Sequence, residues 1–572
     1  MKKYLSLFLC LSAIGYAIVN KDLTRIQFAI PNDKDNRTQT INHPAATLTI
    51  PTSNEDLRVP GRQGVIGYTT YDWQYNGPVY SHCRVDPING IHCYWMYSNF
   101  NPATDRNQRY NFYDFSTRTW NWTEGVQSFP IRSGFGGMDI DPLTGCYVAS
   151  THQTIGGVLT PVVARDQAPG AGLEEYCQGP SGYQGPAIAV SNNQAIHIAM
   201  TGDSLLYSRI QPWCNWTPPV GIAAPGFSSY NIAASKTTNK VIIVWQASND
   251  IGQKRAFYRL STDGGVTWGP QVQIPFPPSQ GLVPSFHTSS LFAMFDNQDN
   301  FHIVTSVSDT GHTIPAEIWH WCPINPQPWT LIHHYDAETL NAGVGYNAIF
   351  ATRPSIIQDP TTLYFYVTWE VFDSLNYEPT TFLARADIWV AELRNNGQFV
   401  SFRARLTSPN TTSKRFPCIG GIINTPSAVD YDTLVIMYLI DSIAGFENYS
   451  QGRATRNPVV VHFAPQRWMS IEEESKISKF YDLVLFAPSP NPFSSHTAIR
   501  YSLPTQSSVS LSIYDVTGRL IKVLVSDTKP IGEHSVTWNG QDNQGNRVKN
   551  GIYFCSLKTN GKTVTRKIIL SR

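Results

Sequence analysis

The chain has 572 residues, enough for one large repeat domain with accessory domains. Charged residues make up only 15% and the formal net charge is +1, which disfavours a nucleic-acid partner and an anionic-membrane patch. Aromatic residues make up 12%, and 40 Gly and 39 Pro are typical of short strands joined by tight turns. The composition therefore predicts an all-β protein.

The N-terminus has the three parts of a secretory signal peptide. Lys2 and Lys3 precede an apolar run from Tyr4 to Ile14, and small residues precede Ala17. The apolar run is shorter than the roughly 20 residues that a membrane-spanning helix needs. We therefore expect cleavage after Ala17, export, and no transmembrane segment in the mature chain.

Residues 18–60 are polar and rich in Asn, Thr and Pro, which predicts an extended N-terminal segment. Nine cysteines are present, and Cys10 leaves with the signal peptide, so an even number remains in a compartment that permits disulfides. Cys83 and Cys93 flank a turn symmetrically, which predicts a cross-strand disulfide; two neighbouring buried thiols are the alternative. The sequence fixes no pairing for Cys146, Cys177, Cys214, Cys322, Cys418 and Cys555.

From Val65 onwards, a motif of apolar run, polar turn and second apolar run recurs along the chain. Seven copies lie at 82–97, 137–150, 187–200, 231–246, 291–306, 354–369 and 419–438. An aromatic-rich pair of strands follows each copy, and such a four-stranded unit has the size of a propeller blade. We predict a β-propeller over residues 61–468 with seven blades, or with six if the first copy belongs to an accessory sheet.

The last copy ends one strand short, at residues 457–463. Residues Val65–Trp73 could supply its outer strand and close the ring. Closure would remove the exposed sheet edge of an open ring.

The turn at residues 261–268 reads STDGGVTW and resembles the Asp-box (S-x-D-x-G-x-T-W) of sialidase-like and related β-propellers. The box residues are Ser261, Asp263, Gly265, Thr267 and Trp268. An aspartate that accepts backbone N–H groups, glycines with positive φ and a buried Trp are typical of a structural turn, so we assign the box no catalytic role. The resemblance implies an architecture and export; it does not identify a reaction.

Sialidases bind a sugar carboxylate with three arginines from different blades, and they use a Tyr activated by Glu with an Asp acid/base. Four arginines of this chain lie in Gly- or Pro-containing loops before inner strands: Arg62, Arg132, Arg353 and Arg415. They could converge at one mouth of the channel, where guanidinium groups would suit a carboxylate. Local pairing of each arginine is the alternative. Glu370 and Tyr346 are possible partners, but the Arg-Ile-Pro signature of the family is absent.

The sequence predicts no metal site and no cofactor. The stretch 296–300 (DNQDN) has alternating oxygen ligands but lacks the central Gly and closing Glu of a calcium loop, so we interpret it as a turn. No Cys or His group has zinc spacing, and no phosphate loop or nucleophile elbow is present.

Residues 469–483 have the polar character of a linker, and 484–572 predict a separate Ig-like β-sandwich of seven short strands. The motifs PSPNPF (488–493), SIYDVTGR (512–519), NGIYFCSL (550–557) and TRKIIL (565–570) resemble the type A C-terminal sorting domain of the type IX secretion system. That domain is related to the Ig-like module of flagellar hook-capping proteins. The resemblance implies a sorting signal and the type IX machinery as a partner; a generic Ig-like spacer is the alternative.

These patterns predict a bacterial propeller that is secreted or attached to the outer cell surface and binds a glycan or a surface protein. A sialidase-like exo-glycosidase and a structural cell-envelope protein are the alternatives.

Overall fold

The structure is a computed structural model that describes residues 62–571, with gaps at 76, 100–102, 280, 338, 424–432, 466–483, 487, 489, 504–506, 530–531 and 560–561. The predicted signal peptide (1–17), N-terminal segment (18–60) and linker (469–483) lie outside the described residues. No helix in the described part of the chain is long and apolar enough to cross a membrane.

Seven antiparallel sheets follow one another along the chain as blades 1–7, and β1 (Arg62–Thr69) comes before them. Blade 1 contains β2 (Cys83–Asp86), β3 (Gly90–Tyr97), β4 (Asn107–Asp114), β5 (Thr119–Trp120) and β6 (Val126–Gln127). Blade 2 contains β7 (Met138–Ile140), β8 (Tyr147–Ile155), β9 (Val158–Asp166) and β10 (Glu174–Gln178). Blade 3 contains β11 (Gln184–Val190), β12 (Ile196–Thr201), β13 (Leu205–Ile210) and β14 (Val220–Ala223).

Blade 4 contains β15 (Phe227–Ala234), β16 (Val241–Ser248), β17 (Lys254–Ser261) and β18 (Val272–Ile274). Blade 5 contains β19 (Pro284–Phe286), β20 (Phe292–Phe295), β21 (Phe301–Asp309), β22 (Ala316–Trp321) and β23 (Trp329–Tyr335). Blade 6 contains β24 (Ala351–Gln358), β25 (Phe365–Glu378), β26 (Leu383–Arg394) and β27 (Phe399–Arg405). Blade 7 contains β28 (Ser413–Ile423), β29 (Thr433–Asp441), a 3-10 turn (Glu447–Tyr449), β30 (Asn457–Pro465) and β1.

The innermost strands β2, β7, β11, β15, β20, β24 and β28 surround one axis. Each contacts the innermost strand of the next blade, and β28 of blade 7 contacts β2 of blade 1. The sheets therefore form a closed ring. The predicted β-propeller is confirmed with seven blades, the larger of the two numbers that the sequence allowed.

The N-terminal strand completes blade 7. Strand β1 pairs antiparallel with β30, so that Val65 lies opposite Val460 and Tyr68 opposite Pro458. The predicted closure of the ring is confirmed. The strand begins at Arg62, earlier than the predicted Val65. It ends at Thr69, earlier than the predicted Trp73, and the chain leaves the sheet at residue 70.

The connection from β1 to β2 lies inside the ring, and we call residues 71–82 the axial segment. All of its described residues are buried. Val79 N–H donates to Tyr230 O at 2.9 Å, and Asn231 Nδ2 donates to Val79 O at 2.9 Å. Tyr230 and Asn231 belong to β15 in blade 4, across the ring from β1 and β2. The segment therefore crosses the axis and fills part of it.

Aromatic side chains connect neighbouring blades. The rings of Tyr110 in blade 1 and Tyr147 in blade 2 stack with centroids 3.9 Å apart, and those of Tyr258 in blade 4 and Trp321 in blade 5 are 6.0 Å apart. Large rings fill the space between sheets that diverge away from the axis, which is the packing role that the recurring aromatic residues predict.

The C-terminal residues form a separate β-sandwich. Its strands are β31 (Val484–Leu485), β32 (Thr497–Leu503), β33 (Ser507–Asp515), β34 (Leu520–Lys529), β35 (Gly532–Trp538), β36 (Gly551–Thr559) and β37 (Lys562–Leu570). One sheet has the order β31-β32-β35 and the other β34-β33-β36-β37. Side chains such as Leu511, Trp538 and Cys555 fill a core between them, which is the predicted Ig-like arrangement.

The cysteine pairing differs from the prediction. Cys83 and Cys93 lie directly opposite in the β2–β3 hairpin, but their sulfur atoms are 3.8 Å apart and both are free thiols. Opposite positions are not sufficient for a bridge, because both side chains must also rotate toward each other. The two sulfur atoms touch without bonding, and the Cys83 sulfur also packs against the Gly420 backbone, where an added Cβ would lie 2.4 Å away. A disulfide joins Cys177 and Cys214, on blades 2 and 3.

Candidate functional site

Two of the four candidate arginines meet between blades 6 and 7. Arg353 lies on β24 and Arg415 on β28, and both reach the carboxylate of Glu370 on β25. Arg353 Nη1 pairs with Glu370 Oε1, and Arg415 Nε donates to Oε2 at 3.2 Å. The N–H of Phe416 donates to the same Oε2 at 3.0 Å. We call Arg353, Glu370 and Arg415 the arginine network.

Backbone irregularities position this network. The pairing register shifts between Thr352 and Ser355 and again between Arg415 and Cys418, and Arg353 has a φ of 54°. A bulge breaks the alternation of side chains along a strand and redirects the residue it contains. These bulges bring arginines from two neighbouring strands to one carboxylate.

The arginine network is closed to solvent. The side chains of Arg353 and Arg415 are each 1% exposed, and that of Glu370 is 0% exposed. Phenylalanine rings cover the guanidinium groups, with Phe416 centred 4.8 Å from Arg353 Cζ and Phe446 centred 4.9 Å from Arg415 Cζ. Burial raises the pKa of Glu370, but the charges of Arg353 and Arg415 outweigh it and hold that pKa below its ordinary value.

Two buried carboxyl groups lie beside Arg415. Asp441 ends β29, and its Oδ1 accepts the N–H of Ile443 at 3.0 Å. Asp72 belongs to the axial segment, and its Oδ2 accepts the N–H of Glu447 at 3.0 Å. Burial raises the pKa of Asp441 to about 7. Burial and the charge of Asp441 raise the pKa of Asp72, so both groups bind a proton more readily than exposed aspartates.

The other candidates lie outside the arginine network. Arg62 begins β1, the outermost strand of blade 7, and its side chain lies outside the described residues. Arg132 is exposed on the connection between β6 and β7. Tyr346 stacks on Tyr449 with centroids 3.8 Å apart, and burial raises the pKa of Tyr346 to about 12, the reverse of an activated phenol. Of the four arginines that the sequence predicted to converge, the structure brings Arg353 and Arg415 together, and each of them is paired with Glu370.

The turn at 261–268 lies near the outer strands of blade 4. Asp263 Oδ1 accepts the N–H groups of Val266 at 3.1 Å and Thr267 at 2.9 Å, and the pKa of Asp263 falls to about 2 because hydrogen bonds outweigh its burial. Ser261 Oγ donates to Asp263 Oδ1 at 2.7 Å. These bonds hold the turn in one conformation.

The same turn fastens blade 4 to blade 3. Gly265 has a φ of 78°, and a Cβ there would lie 1.8 Å from the hydroxyl of Tyr207. Trp268 packs edge-on against the Tyr207 ring at 4.8 Å. These contacts support the predicted structural role.

The stretch 296–300 forms a turn stabilised by Asp296. Its Oδ1 accepts the N–H of Asn300 at 2.7 Å, and its Oδ2 lies 3.2 Å from Nε2 of the buried His302. Within the described ranges, no group of three or more His, Cys, Asp or Glu side chains is arranged to hold a metal ion.

A cavity of about 110 Å³ lies on the propeller axis at the end opposite the arginine network. The network lies near the starts of β24 and β28, whereas the cavity is lined by residues near the ends of β11 (Ile188–Ala189) and β15 (Asn231–Ala234). Its floor comes from the axial segment, at Val79–Ser81. Its wall comes from blades 1–5 and includes Arg84, Met138–Asp139, Ile188–Ala189, Asn231–Ala234 and Phe292–Phe295.

Three charged side chains form one wall of this axial cavity, and we call Arg84, Asp139 and Lys236 the axial trio. Arg84 Nε donates to Asp139 Oδ1 at 3.3 Å, and Lys236 Nζ donates to Oδ2 at 2.7 Å. The N–H of Val190 on β11 donates to Oδ2 at 2.8 Å. Burial raises the pKa of Asp139, but Lys236 and Arg84 outweigh it and hold that pKa below its ordinary value. The carboxylate is therefore ionised between two cations.

Sequence reasoning missed the axial trio, although one signal was available. Arg84 and Asp139 occupy equivalent positions in the first two repeat copies, because CRVDP at 83–87 aligns with MDIDP at 138–142. Equivalent positions on neighbouring innermost strands lie side by side around the axis. Aligning the copies on Asp-Pro would have predicted the pair.

The C-terminal sandwich also has a sequence match. Residues 493–562 match the family model of the FlgD Ig-like domain. The C-terminal domain is Ig-like. No curated protein matches the chain.

Similarity to solved structures is weak. A PL25 ulvan lyase, described as bound to -[GlcA(1-4)Rha3S]-, is 10% identical with a TM-score of 0.43, over 71% of this chain and 96% of that one. The Hadza microbial sialidase Hz136 is 12% identical with a TM-score of 0.32, over 64% and 74%. A Penicillium chrysogenum α-L-arabinanase is 10% identical with a TM-score of 0.32, over 70% and 98%. Similarity at this level carries no argument about activity.

Proposed function

We propose that the chain is an exported β-propeller that binds a glycan or protein ligand, either secreted or displayed at the cell surface. The axial cavity carries the proposal. Ligand sites in proteins are concave, mostly apolar, and contain a few placed polar groups. The cavity is concave, and it combines apolar side chains such as Ile188, Ile232 and Phe292 with the charged side chains of the axial trio. Two cations that share one carboxylate suit recognition of a polar ligand.

The C-terminal domain supports the export part of the proposal. The N–H of Phe493 donates to Ile569 O at 3.0 Å, and Asn491 Oδ1 accepts the N–H of Ile569 at 2.8 Å. The PSPNPF motif is thus bound to the TRKIIL strand, so two motifs of the sorting-domain resemblance form one structural unit. We propose that this domain is a type IX sorting signal and that the type IX machinery is its partner.

A sialidase-like exo-glycosidase remains the second candidate, because Arg353 and Arg415 approach each other from two blades near the starts of their innermost strands. Catalysis would require both guanidinium groups to turn from Glu370 to a sugar carboxylate. Breaking a buried ion pair by removing a partner costs about 3–5 kcal/mol. Binding is therefore the better-supported proposal.

A glycan array combined with a fluorogenic sialoside assay tests the binding proposal. Protein from residue 18 onwards should bind a ligand and leave the sialoside intact. Sialoside turnover that is lost in Glu370→Gln would replace binding with the glycosidase alternative. Failure to bind any glycan or surface-protein extract would favour a structural envelope role.

Truncation after residue 480 tests the sorting proposal in a type IX-competent host. The truncated chain should accumulate in the periplasm, because the propeller has its own core and closure. Arrival of the truncated chain at the cell surface would contradict the sorting role.

A further inference from the structure

The axial trio carries one more positive than negative charge. Lys236 Nζ donates to Asp139 Oδ2 at 2.7 Å, to Val190 O at 2.5 Å and to Ile140 O at 3.4 Å, which uses its three donors. Arg84 uses Nε on Asp139 and donates from Nη1 to Cys83 O at 3.3 Å. Its Nη2 has no acceptor within the ranges that the structure describes. Arg84 therefore retains donors that a ligand can use.

Solvent reaches both cations of the trio. The side chain of Lys236 is 44% exposed and that of Arg84 26% exposed, whereas that of Asp139 is 8% exposed. Lys236 lies in the turn after β15, at the rim of the cavity. An anion can therefore enter from this end without disturbing Asp139.

The surroundings of the trio strengthen its attraction for an anion. The remaining wall is largely apolar, with Ile188 on β11 of blade 3 and both Phe292 and Phe295 on β20 of blade 5. Apolar surroundings lower the effective dielectric constant, so a surplus charge there interacts more strongly than it would in water. The planar fork of a guanidinium group matches the two oxygens of a carboxylate.

The volume of the cavity limits what can enter. About 110 Å³ corresponds to three or four water molecules at roughly 30 Å³ each. A carboxylate with a few attached carbon atoms fits this space, and the rest of a larger ligand must remain outside the rim. The cavity thus suits the acidic end of a ligand.

We propose that the axial cavity binds a carboxylate group, with Arg84 as its direct contact and Lys236 as a second cation at the rim. Asp139 is a positioning residue that holds both cations. The inference rests on the proposed binding function and names the ligand chemistry of its site. The carboxylate belongs either to a small free acid or to an acidic sugar.

Calorimetric titration of the full mature chain at low ionic strength tests this proposal with propionate, glucuronate and glucose as probes. Propionate and glucuronate should bind and glucose should not. Tighter binding of glucuronate than of propionate assigns the site to acidic sugars, and equal binding assigns it to small free acids. Binding of glucose as tight as that of glucuronate would overturn the proposal.

Substitutions locate the binding site. Arg84→Gln should weaken carboxylate binding by about tenfold, in line with the loss of one charge-assisted contact. Lys236→Met should weaken it by about threefold, because it removes a nearby positive charge without removing a direct contact. Lys240→Met is the matched control, because Lys240 lies in the same turn but pairs with Asp299 at 2.7 Å outside the cavity. Thermal unfolding monitors the fold of each variant. If Arg84→Gln does not fold, Arg84→Lys, which keeps the charge and loses the fork, should bind more weakly than the wild type.

The outcomes separate this inference from the proposed function. Carboxylate binding that is unchanged in every folded Arg84 and Lys236 variant would place the site elsewhere and overturn the inference, while the binding function would stand. Glycan binding on the array without any carboxylate binding in the calorimeter would also overturn the inference and leave the binding function standing. Absence of binding in both experiments would overturn the function and the inference together.

Discussion

At each end of the propeller axis two cationic side chains share one carboxylate, but the two groups differ in their exposure to solvent. Near the starts of the innermost strands, two arginines share Glu370, and at the other end Arg84 and Lys236 share Asp139. The arginine network is sealed by phenylalanine rings, whereas solvent reaches both cations of the axial trio. Burial, rather than residue type, therefore distinguishes an internal connection between blades from a surface that a ligand can reach.

Removal of Glu370 should have the largest effect. Glu370→Gln removes the carboxylate that two buried guanidinium groups share, and we expect it to lower the free energy of unfolding by about 3–5 kcal/mol in urea denaturation. The control is Glu175→Gln, because Glu175 forms an exposed pair with Arg165. That control should cost less than about 1 kcal/mol. Equal effects of the two substitutions would show that the arginine network contributes no more to stability than an exposed ion pair does.

The buried carboxyl groups beside Arg415 should make stability depend on pH. The pKa of Asp441 is raised from its ordinary value of 3.8 to about 7 in the folded state. The folded state therefore binds a proton more tightly than the unfolded state, and this stabilising contribution is complete below about pH 4 and is lost as the pH rises to about 7. Asp441→Asn should flatten that part of the denaturation profile. An unchanged profile would contradict the raised pKa.

Removal of Asp139 should cost less than removal of Glu370. Asp139→Asn leaves two cations that solvent reaches, and we expect a loss of about 1–2 kcal/mol in the same urea experiment. A loss as large as that of Glu370→Gln would remove the distinction between the two ends of the axis.

Added salt should have the smallest effect and should separate the two sites. Ions screen exposed charges more than buried ones. In 1 M NaCl, the effect of Asp139→Asn should shrink by a few tenths of a kcal/mol, and that of Glu370→Gln should stay constant. Equal salt dependence of both variants would contradict the difference in burial.

The fold followed from the sequence more completely than the site did. The motif of apolar run, polar turn and second apolar run recurs at the length of a blade, so the blades and the closing strand could be predicted. The predicted position of Arg353 and Arg415 close to the starts of inner strands also indicated their approach, although both arginines lie within those strands. Their closure around Glu370 depends on two bulges and on the positive φ of Arg353, which long-range packing determines and no local pattern records.

The axial segment was missed for a different reason. Its aromatic residues, such as Tyr71, Trp73 and Tyr75, satisfy the pattern of a buried strand, and they are buried on the axis without belonging to any sheet. Apolar periodicity reports that a residue is buried but not what buries it. The axial trio was missed because its three members belong to different blades and become neighbours only when blades 1–4 assemble around the axis.

The axial segment also constrains the order in which the propeller can fold. Gln63 Nε2 donates to Tyr438 Oη at 2.6 Å, and the N–H of Glu447 donates to Asp72; each bond joins residues 375 positions apart. The first strand and the segment inside the ring therefore reach their final partners only after blade 7 has been synthesised. Such distant contacts slow folding, because a long loop must close before they form. A growing chain therefore has no complete propeller until synthesis is nearly finished.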